Sequence, residues 1–254
     1  TSFLLYIKTL IGKLSVYLHW MKVTMNLIKK LLVGNTKVVC NSEGAIQRRI
    51  NNLKVIWNNE LHEDVGIERL LRLFLAFSQF LFIGTYLREL FGRTTITRDL
   101  SIDFLVLFKI VFSVFSIKYG WYTNYIILVI LIWFLIETIL YIPTLIFASD
   151  YLTRPRSYRR AMILFFLNFL EVNISYGVLY RKFCLFNREI THWFDYVYFS
   201  FVVSSSTGLG DIYPIDLTGK MILVSHTVVS IMFIVLFLNS FSSKMEITGY
   251  FKDK

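Results

Sequence analysis

The stretch from Tyr125 to Phe147 constrains the fold of this chain more than any other. It is apolar throughout apart from one charge, Glu137, and it holds one proline, Pro143. About 20 such residues cross a hydrocarbon core as a helix, and a helix satisfies its own backbone there. Ile102–Ile117, Ala161–Tyr180 and Thr218–Ser242 share the pattern, the first interrupted by Asp103 and Lys109. Hydrophobic residues make up 56% of the chain and the mean hydropathy is +0.58, too apolar for a soluble globular protein. The fold class is therefore an all-α membrane protein.

The formal net charge of +10 would suggest nucleic acid in a soluble chain. In a membrane protein, lysine and arginine collect in cytoplasmic loops and beside anionic lipid, so we expect a lipid partner and no nucleic acid. The two cysteines, Cys40 and Cys184, form neither a disulfide framework nor a metal cluster. No nucleophile, base and orienter converge in the spans, so we expect no enzyme and no cofactor. We also expect no cleavable signal peptide.

Residues 1–66 read as a basic N-terminal cytoplasmic region. Leu4, Ile7, Ile11, Leu14 and Leu18 share one helical face. Lys8 and Lys13 would each cost roughly 2.5–3.5 kcal/mol near a bilayer centre, so this helix is expected in the interface rather than across it. A helix over Ala45–Glu60 follows, with Ser42 as its cap. His62-Glu63-Asp64 and Glu68 lack metal-ligand spacing and read as an exposed acidic turn. Residues 67–150 form the membrane helices that precede the last hundred residues. Leu73–Leu87, flanked by Arg69, Arg72 and Arg88, is short of the ~20 residues a span needs, so 68–91 lies in the interface or crosses a thinned bilayer. The short link Lys118–Asn124 makes 102–147 an antiparallel hairpin. Lys109 is expected to snorkel or pair locally rather than serve a partner helix. Arg154, Arg156, Arg159 and Arg160 read as a cytoplasmic cuff. A voltage sensor needs arginines at every third position within a span, and the preceding span has none.

Ser204-Ser205-Ser206-Thr207-Gly208-Leu209-Gly210-Asp211 follows the aromatic run Trp193–Phe199 and precedes Ile212-Tyr213-Pro214 and a long apolar helix. Glycine at every second position allows alternation between ordinary and left-handed backbone, which turns successive carbonyls the same way. From about Tyr158 to Ser243, this order resembles the pore loop of the potassium-channel superfamily. The resemblance implies an outer helix, a short re-entrant pore helix with Thr191 near its N-cap, a selectivity filter and an inner helix, within a pore domain at 151–243. A short cytoplasmic tail follows at 244–254, too short for a ligand-binding domain. It implies that Ser206, Thr207, Gly208, Leu209 and Gly210 bind the permeant ion, K+, through backbone carbonyls. Ser206 stands at the usual threonine and Leu209 at the usual aromatic position. Thr207 departs from the usual valine or isoleucine, which leaves a weakly selective cation channel as an alternative. A non-conducting adaptor or signalling protein with a pore-like fold is another.

Further roles follow from the same likeness. Asp211 would lie at the outer mouth with Tyr198 as its partner, or else be a solvated turn residue. Ser230 replaces the hinge glycine of the inner helix, and Ile231, Ile234 and Leu238 would line the cavity or gate. One loop per chain implies a homotetramer. The protein is expected to be multi-pass, in a plasma or inner membrane, with its C-terminus cytoplasmic. Four spans satisfy this orientation. A six-helix plan in which 3–20 and 68–91 also cross would satisfy it too. Finally, Glu171 lies roughly 16 Å into the outer helix and His226 roughly 10 Å into the inner one. These depths suggest a titratable Glu171–His226 pair. Asn173-Ile174-Ser175 matches a glycosylation motif but falls in a span.

Overall fold

The computed structural model describes residues 44–58, 65–91, 94–147 and 158–247, with Lys22 and Thr24. The expectations for the helix at 1–20, for Ser42, for His62-Glu63-Asp64, for Arg154 and Arg156 and for the end of the tail fall outside those residues. Helix α1 spans Ala45–Asn58. Its first turn is capped from elsewhere in the fold: Glu89 Oε2 accepts the Ile46 N–H at 3.0 Å. The approach is close enough that a Cβ on Gly44 would lie 2.6 Å from Glu89 Oε1.

Segment 67–91 is neither a straight span nor one interfacial helix. It forms α2 (Ile67–Ser78), a 3-10 turn (Gln79–Leu81) and α3 (Ile83–Phe91), with a 59° bend between the two parts. Ile67, Leu70, Phe74, Phe77 and Leu81 form an exposed apolar stripe on one side. Arg72, Ser78, Gln79 and Thr85 are buried on the other. A bend frees backbone groups that hydrocarbon cannot satisfy. Here Thr85 Oγ1 donates to the Gln79 carbonyl at 2.9 Å and Ser78 Oγ to the Leu75 carbonyl at 2.8 Å. Among the described residues, four helices are long and apolar enough to cross a membrane, or five if the bent pair is one span.

The hairpin is formed by α4 (Thr95–Tyr119) and α5 (Tyr125–Phe147). α4 starts earlier than the apolar run suggests because Thr94 and Thr97 build a capping box. It stops at Gly120, whose φ of 74° is the left-handed C-cap conformation. Asn124 Oδ1 then accepts the Ile126 N–H at 2.9 Å and starts α5. α5 continues as helix through Pro143.

The last three helices are α6 (Tyr158–Phe183), the short α7 (Trp193–Ser204) and α8 (Leu217–Ile247). Lipid supplies little hydrophobic drive for helix association, so packing and interhelical hydrogen bonds of ~0.6 kcal/mol, at most about 1.7, carry it. α4 and α6 run parallel and are tied at three levels. Arg160 Nη2 donates to Asp103 Oδ1 at 2.5 Å and to the Asp99 carbonyl at 2.8 Å. Ser113 Oγ and Ser175 Oγ share a hydrogen bond at 3.0 Å. Arg181 Nη1 donates to the Ile117 carbonyl. α6 meets α8 through Phe165 and Phe169 against the buried Phe233, with ring centroids 5.1 and 5.4 Å apart.

Lys109 does not snorkel. It is 4% exposed and faces the partner helix α5, where its Nζ lies 3.0 Å from Glu137 Oε2. It also donates to Thr138 Oγ1 at 3.3 Å and to the Phe134 carbonyl at 3.5 Å. A lone lysine at this depth must find such a partner or stay out.

Candidate functional site

α7 occupies the expected residues, but its cap is His192 rather than Thr191. His192 takes extended backbone, and its Nδ1 accepts the Phe194 N–H at 3.2 Å. Threonine is the better cap by type. The turn falls one residue later because His192 supplies both the extended backbone and the acceptor. α7 is seated against α6 by two close contacts. A Cβ on Gly177 would lie 3.3 Å from Val197 Cα, so the helices meet backbone to backbone. One turn below, the buried Ser200 Oγ donates to the Asn173 carbonyl at 2.6 Å. Asn173 Nδ2 in turn donates to the Phe169 carbonyl at 2.8 Å. Asn173 is fully enclosed and belongs to this joint, not to a glycosylation site.

The chain leaves α7 through three backbone bonds: Ser205 N–H to Phe201 O at 3.0 Å, Ser206 N–H to Val203 O at 3.1 Å and Thr207 N–H to Val202 O at 3.3 Å. Gly208 and Gly210 take left-handed φ values of 58° and 74°. Ser206 also takes φ 54°, the one non-glycine positive φ among the described residues. The left-handed positions 206, 208 and 210 therefore alternate over the whole predicted stretch, one step further than the glycines alone suggest. Ser205 through Asp211, including Leu209 at 58%, are exposed. Ser205 Oγ and Thr207 Oγ1 share a hydrogen bond at 2.6 Å.

Asp211 is held by residues that the sequence pattern did not single out. Arg188 Nη2 lies 3.6 Å from its carboxylate, and Asn187 Nδ2 donates to its carbonyl at 3.3 Å. The predicted partner Tyr198 is also present. Partial burial, then the Asp211 charge and a hydrogen bond to it, hold the Tyr198 phenol above the usual tyrosine range. Beyond Asp211, segment 185–187 pairs with 213–215: Asn187 N–H donates to Tyr213 O at 3.1 Å, and Ile215 N–H to Leu185 O at 2.9 Å. Asp216 then caps α8, accepting the Leu185 N–H on Oδ1 at 2.9 Å and the Gly219 N–H on Oδ2 at 3.0 Å. These backbone donors hold its carboxyl below the usual aspartate range. Burial, with the Asp216 charge nearby, pushes the Cys184 thiol up to about 12.

On α8, Ser230 is buried and its Oγ donates back to the His226 carbonyl at 2.9 Å. Ile231 and Leu238 share an exposed stripe with Val224, Val228 and Val235, and Ile234 is exposed beside it.

The predicted Glu171–His226 pair does not form. Both side chains are fully enclosed, but on different faces of α6. At ~100° per residue, Tyr180 lies about 180° round the helix from Glu171. His226 sits on the tyrosine side: its Nδ1 lies 3.1 Å from Tyr180 Oη, and its ring stacks on Tyr176 at 4.1 Å. Tyr176 Oη meets Ser225 Oγ at 3.3 Å. Glu171 turns to the hairpin instead, where Ser175 Oγ donates to its Oε1 at 3.2 Å and Lys109, Glu137 and Thr138 are its neighbours. Equal depth was the wrong test, because azimuth decides which neighbour a helical side chain meets.

Residues 163–246, from within α6 to the end of α8, match the family model described as ion channel. That stretch is similar to the family over about a third of the chain. No curated protein and no solved structure matches it. The matched part contains most of α6, the short helix α7, an exposed loop of alternating backbone hand and α8. With its apolar helices, the protein is an integral multi-pass membrane protein.

Proposed function

We propose that the channel is a potassium-selective homotetramer that conducts passively through the carbonyls of Ser206, Thr207, Gly208, Leu209 and Gly210. The observation that carries this reading is the left-handed φ at 206, 208 and 210 in an exposed loop that leaves the C-terminal end of α7. Alternating hand turns successive carbonyls to one side, and a row of carbonyls replaces the water of a dehydrating cation. The negative end of the α7 dipole favours the same charge. One chain has one such loop, so four copies around an axis complete the coordination. Asp211, held by Arg188, Asn187 and Tyr198, sits at the outer mouth. The exposed stripe through Ile231 and Leu238, with Ile234, lines the cavity and gates it by dewetting. No cofactor takes part, and K+ is the permeant ion.

In this reading the C-terminus and the Arg159–Arg160 end of α6 are cytoplasmic, in a plasma or inner membrane. Residues 1–66, 67–150, 151–243 and 244–254 are a basic N-terminal region in contact with anionic lipid, a set of membrane helices, the pore domain and a short tail. A second reading, a weakly selective cation channel, draws support from Thr207, whose hydroxyl pairs with Ser205 at 2.6 Å where an apolar side chain would pack. Flux from liposomes under potassium and sodium gradients separates the two. Potassium-selective, barium-blocked flux is expected. Equal sodium and potassium flux would establish the second reading, and no flux at any pH or voltage would make the protein an adaptor.

A further inference from the structure

Three ionisable groups meet inside the membrane helices, away from the loop. Lys109 of α4 is 4% exposed, Glu137 of α5 is 7% exposed and Glu171 of α6 is 0% exposed. Hydrocarbon tolerates such charges only when they are paired, and one ammonium can neutralise only one of two carboxylates. The geometry shows which one. Glu137 Oε2 lies 3.0 Å from Lys109 Nζ, and its Oε1 accepts the Gly84 N–H at 3.1 Å. On Glu171, Ser175 Oγ donates to Oε1 at 3.2 Å, and the Thr138 hydroxyl lies beside the carboxyl. Its Oε2 is buried with no hydrogen-bond partner. Among the described residues, Lys109 is the cation beside it: α4 supplies Lys109, α5 supplies Glu137 and the Thr138 hydroxyl, and α6 supplies Ser175. His226 of α8 lies on the opposite face of α6, against Tyr176 and Tyr180.

We propose that Glu171 is a proton-binding site, and that its proton couples the α4–α5 hairpin and the α2–α3 bend to the outer helix of the pore. A proton on Oε2 balances the charge of the cluster. It also turns an acceptor with no donor into a donor, with an acceptor at hand. Thr138 spends its own proton on the Phe134 carbonyl at 3.1 Å, which leaves the oxygen lone pairs of its hydroxyl to accept. When the proton leaves, a second negative charge remains in a dry site. Lys109 is then drawn from Glu137 toward Glu171, and Glu137 keeps only the Gly84 amide. Gly84 lies in the first turn of α3, directly after the 59° bend. The proton therefore acts on the bend between α2 and α3 and on the helix that seats α7.

Infrared titration of the full-length protein in lipid tests the site without requiring conduction. The carbonyl band of a protonated carboxylic acid is expected at neutral pH and absent in Glu171→Gln. In Glu137→Gln, Lys109 is free to pair with Glu171, so the band should vanish at a pH lower by about one unit or more. A band that survives in Glu171→Gln, or a midpoint in Glu137→Gln that does not fall, overturns the assignment. If Glu171→Gln fails to assemble, an unchanged midpoint in Glu137→Gln is enough to overturn it. The coupling rests on the channel reading. Flux should change with pH across the same range as the band and lose that change in Glu171→Gln, and pH-independent flux beside a titrating band overturns the coupling. A titrating band with no flux at any pH upholds the site and fails the channel reading instead.

Discussion

Ser206 is the residue at which conformation and chemistry pull apart. A left-handed φ costs a residue with a side chain roughly 1–2 kcal/mol, and glycine would avoid that at an unfolded-state entropy cost of ~0.5–1 kcal/mol. The two nearly cancel. Ser206→Gly should therefore leave the unfolding midpoint in detergent within about 1 kcal/mol of wild type. It removes the hydroxyl that stands at the inner end of the proposed filter, so the potassium-over-sodium flux ratio should fall. A large loss of stability with an unchanged ratio would make Ser206 a structural residue only. Thr207→Val removes the partner of the Ser205 hydroxyl, recorded at 2.6 Å. The ratio should then rise, because an apolar side chain can pack where the hydroxyl pair now holds polar atoms. The alternating glycines made Gly208 and Gly210 legible in the sequence. Ser206 was not legible as left-handed, because serine has no intrinsic preference for that region and the α7 exit bonds impose it.

At the scale of elements, the junction between α6 and α8 depends on Asp216, which joins the segment after α6 to the start of α8. Its carboxyl sits below the usual aspartate range, first through the Leu185 amide and then through Gly219. A depressed carboxylate contributes stability above its unfolded value of ~3.9 and loses it as pH falls through the folded value. Hydrogen exchange at the Leu185 and Gly219 amides should therefore quicken as pH drops below ~4 relative to the intrinsic rate. In Asp216→Ala these amides should be unprotected already at neutral pH. Gly219→Ala should destabilise by about 1–3 kcal/mol through overpacking, because its Cβ would lie 2.6 Å from Pro214 Cβ and 2.7 Å from Asp216 Oδ1. Spans and the short helix were legible because hydrocarbon demands long apolar helices, and α7 begins where its aromatic run does. Lys109–Glu137 was also within reach of the sequence. The two charges lie twelve residues before Trp121 and fourteen after Thr123, at similar depth in an antiparallel hairpin. What misled the reading was treating each charge alone. The caps from Glu89 and the fate of Glu171 were not legible, since both depend on how helices turn against one another.

At the scale of the whole molecule, the inner helix shows what a single chain leaves incomplete. α8 buries Val229, Phe233 and Leu236 against its own subunit, while Val224, Val228, Ile231, Val235 and Leu238 stay exposed on one stripe. Apolar exposure alone does not tell lipid from a water-filled cavity or from another copy, because all three leave the same face bare in one subunit. Four copies should be found by native mass measurement in mild detergent, and a stable monomer or dimer would remove the pore. The stripe itself can then be assigned by chemistry. In a Cys40→Ser/Cys184→Ser background, charged thiol reagents react with the thiolate, which forms only where water reaches the cysteine. Ile231→Cys and Leu238→Cys should react in liposomes and the reaction should reduce flux several-fold. Ile126→Cys and Val129→Cys on α5 are equally bare in the isolated chain, and they should stay unmodified because they face lipid. Ile234 lies about 60° round the helix from Ile231, so its reactivity fixes how wide the wetted face is. Modification of all three α8 positions describes a broad cavity. Modification of Ile231 and Leu238 without Ile234 describes a narrow seam on the axis, with Ile234 packed against the neighbouring subunit. If the α5 positions react and the α8 positions do not, the axis lies on the hairpin side and the proposed arrangement of four loops is wrong.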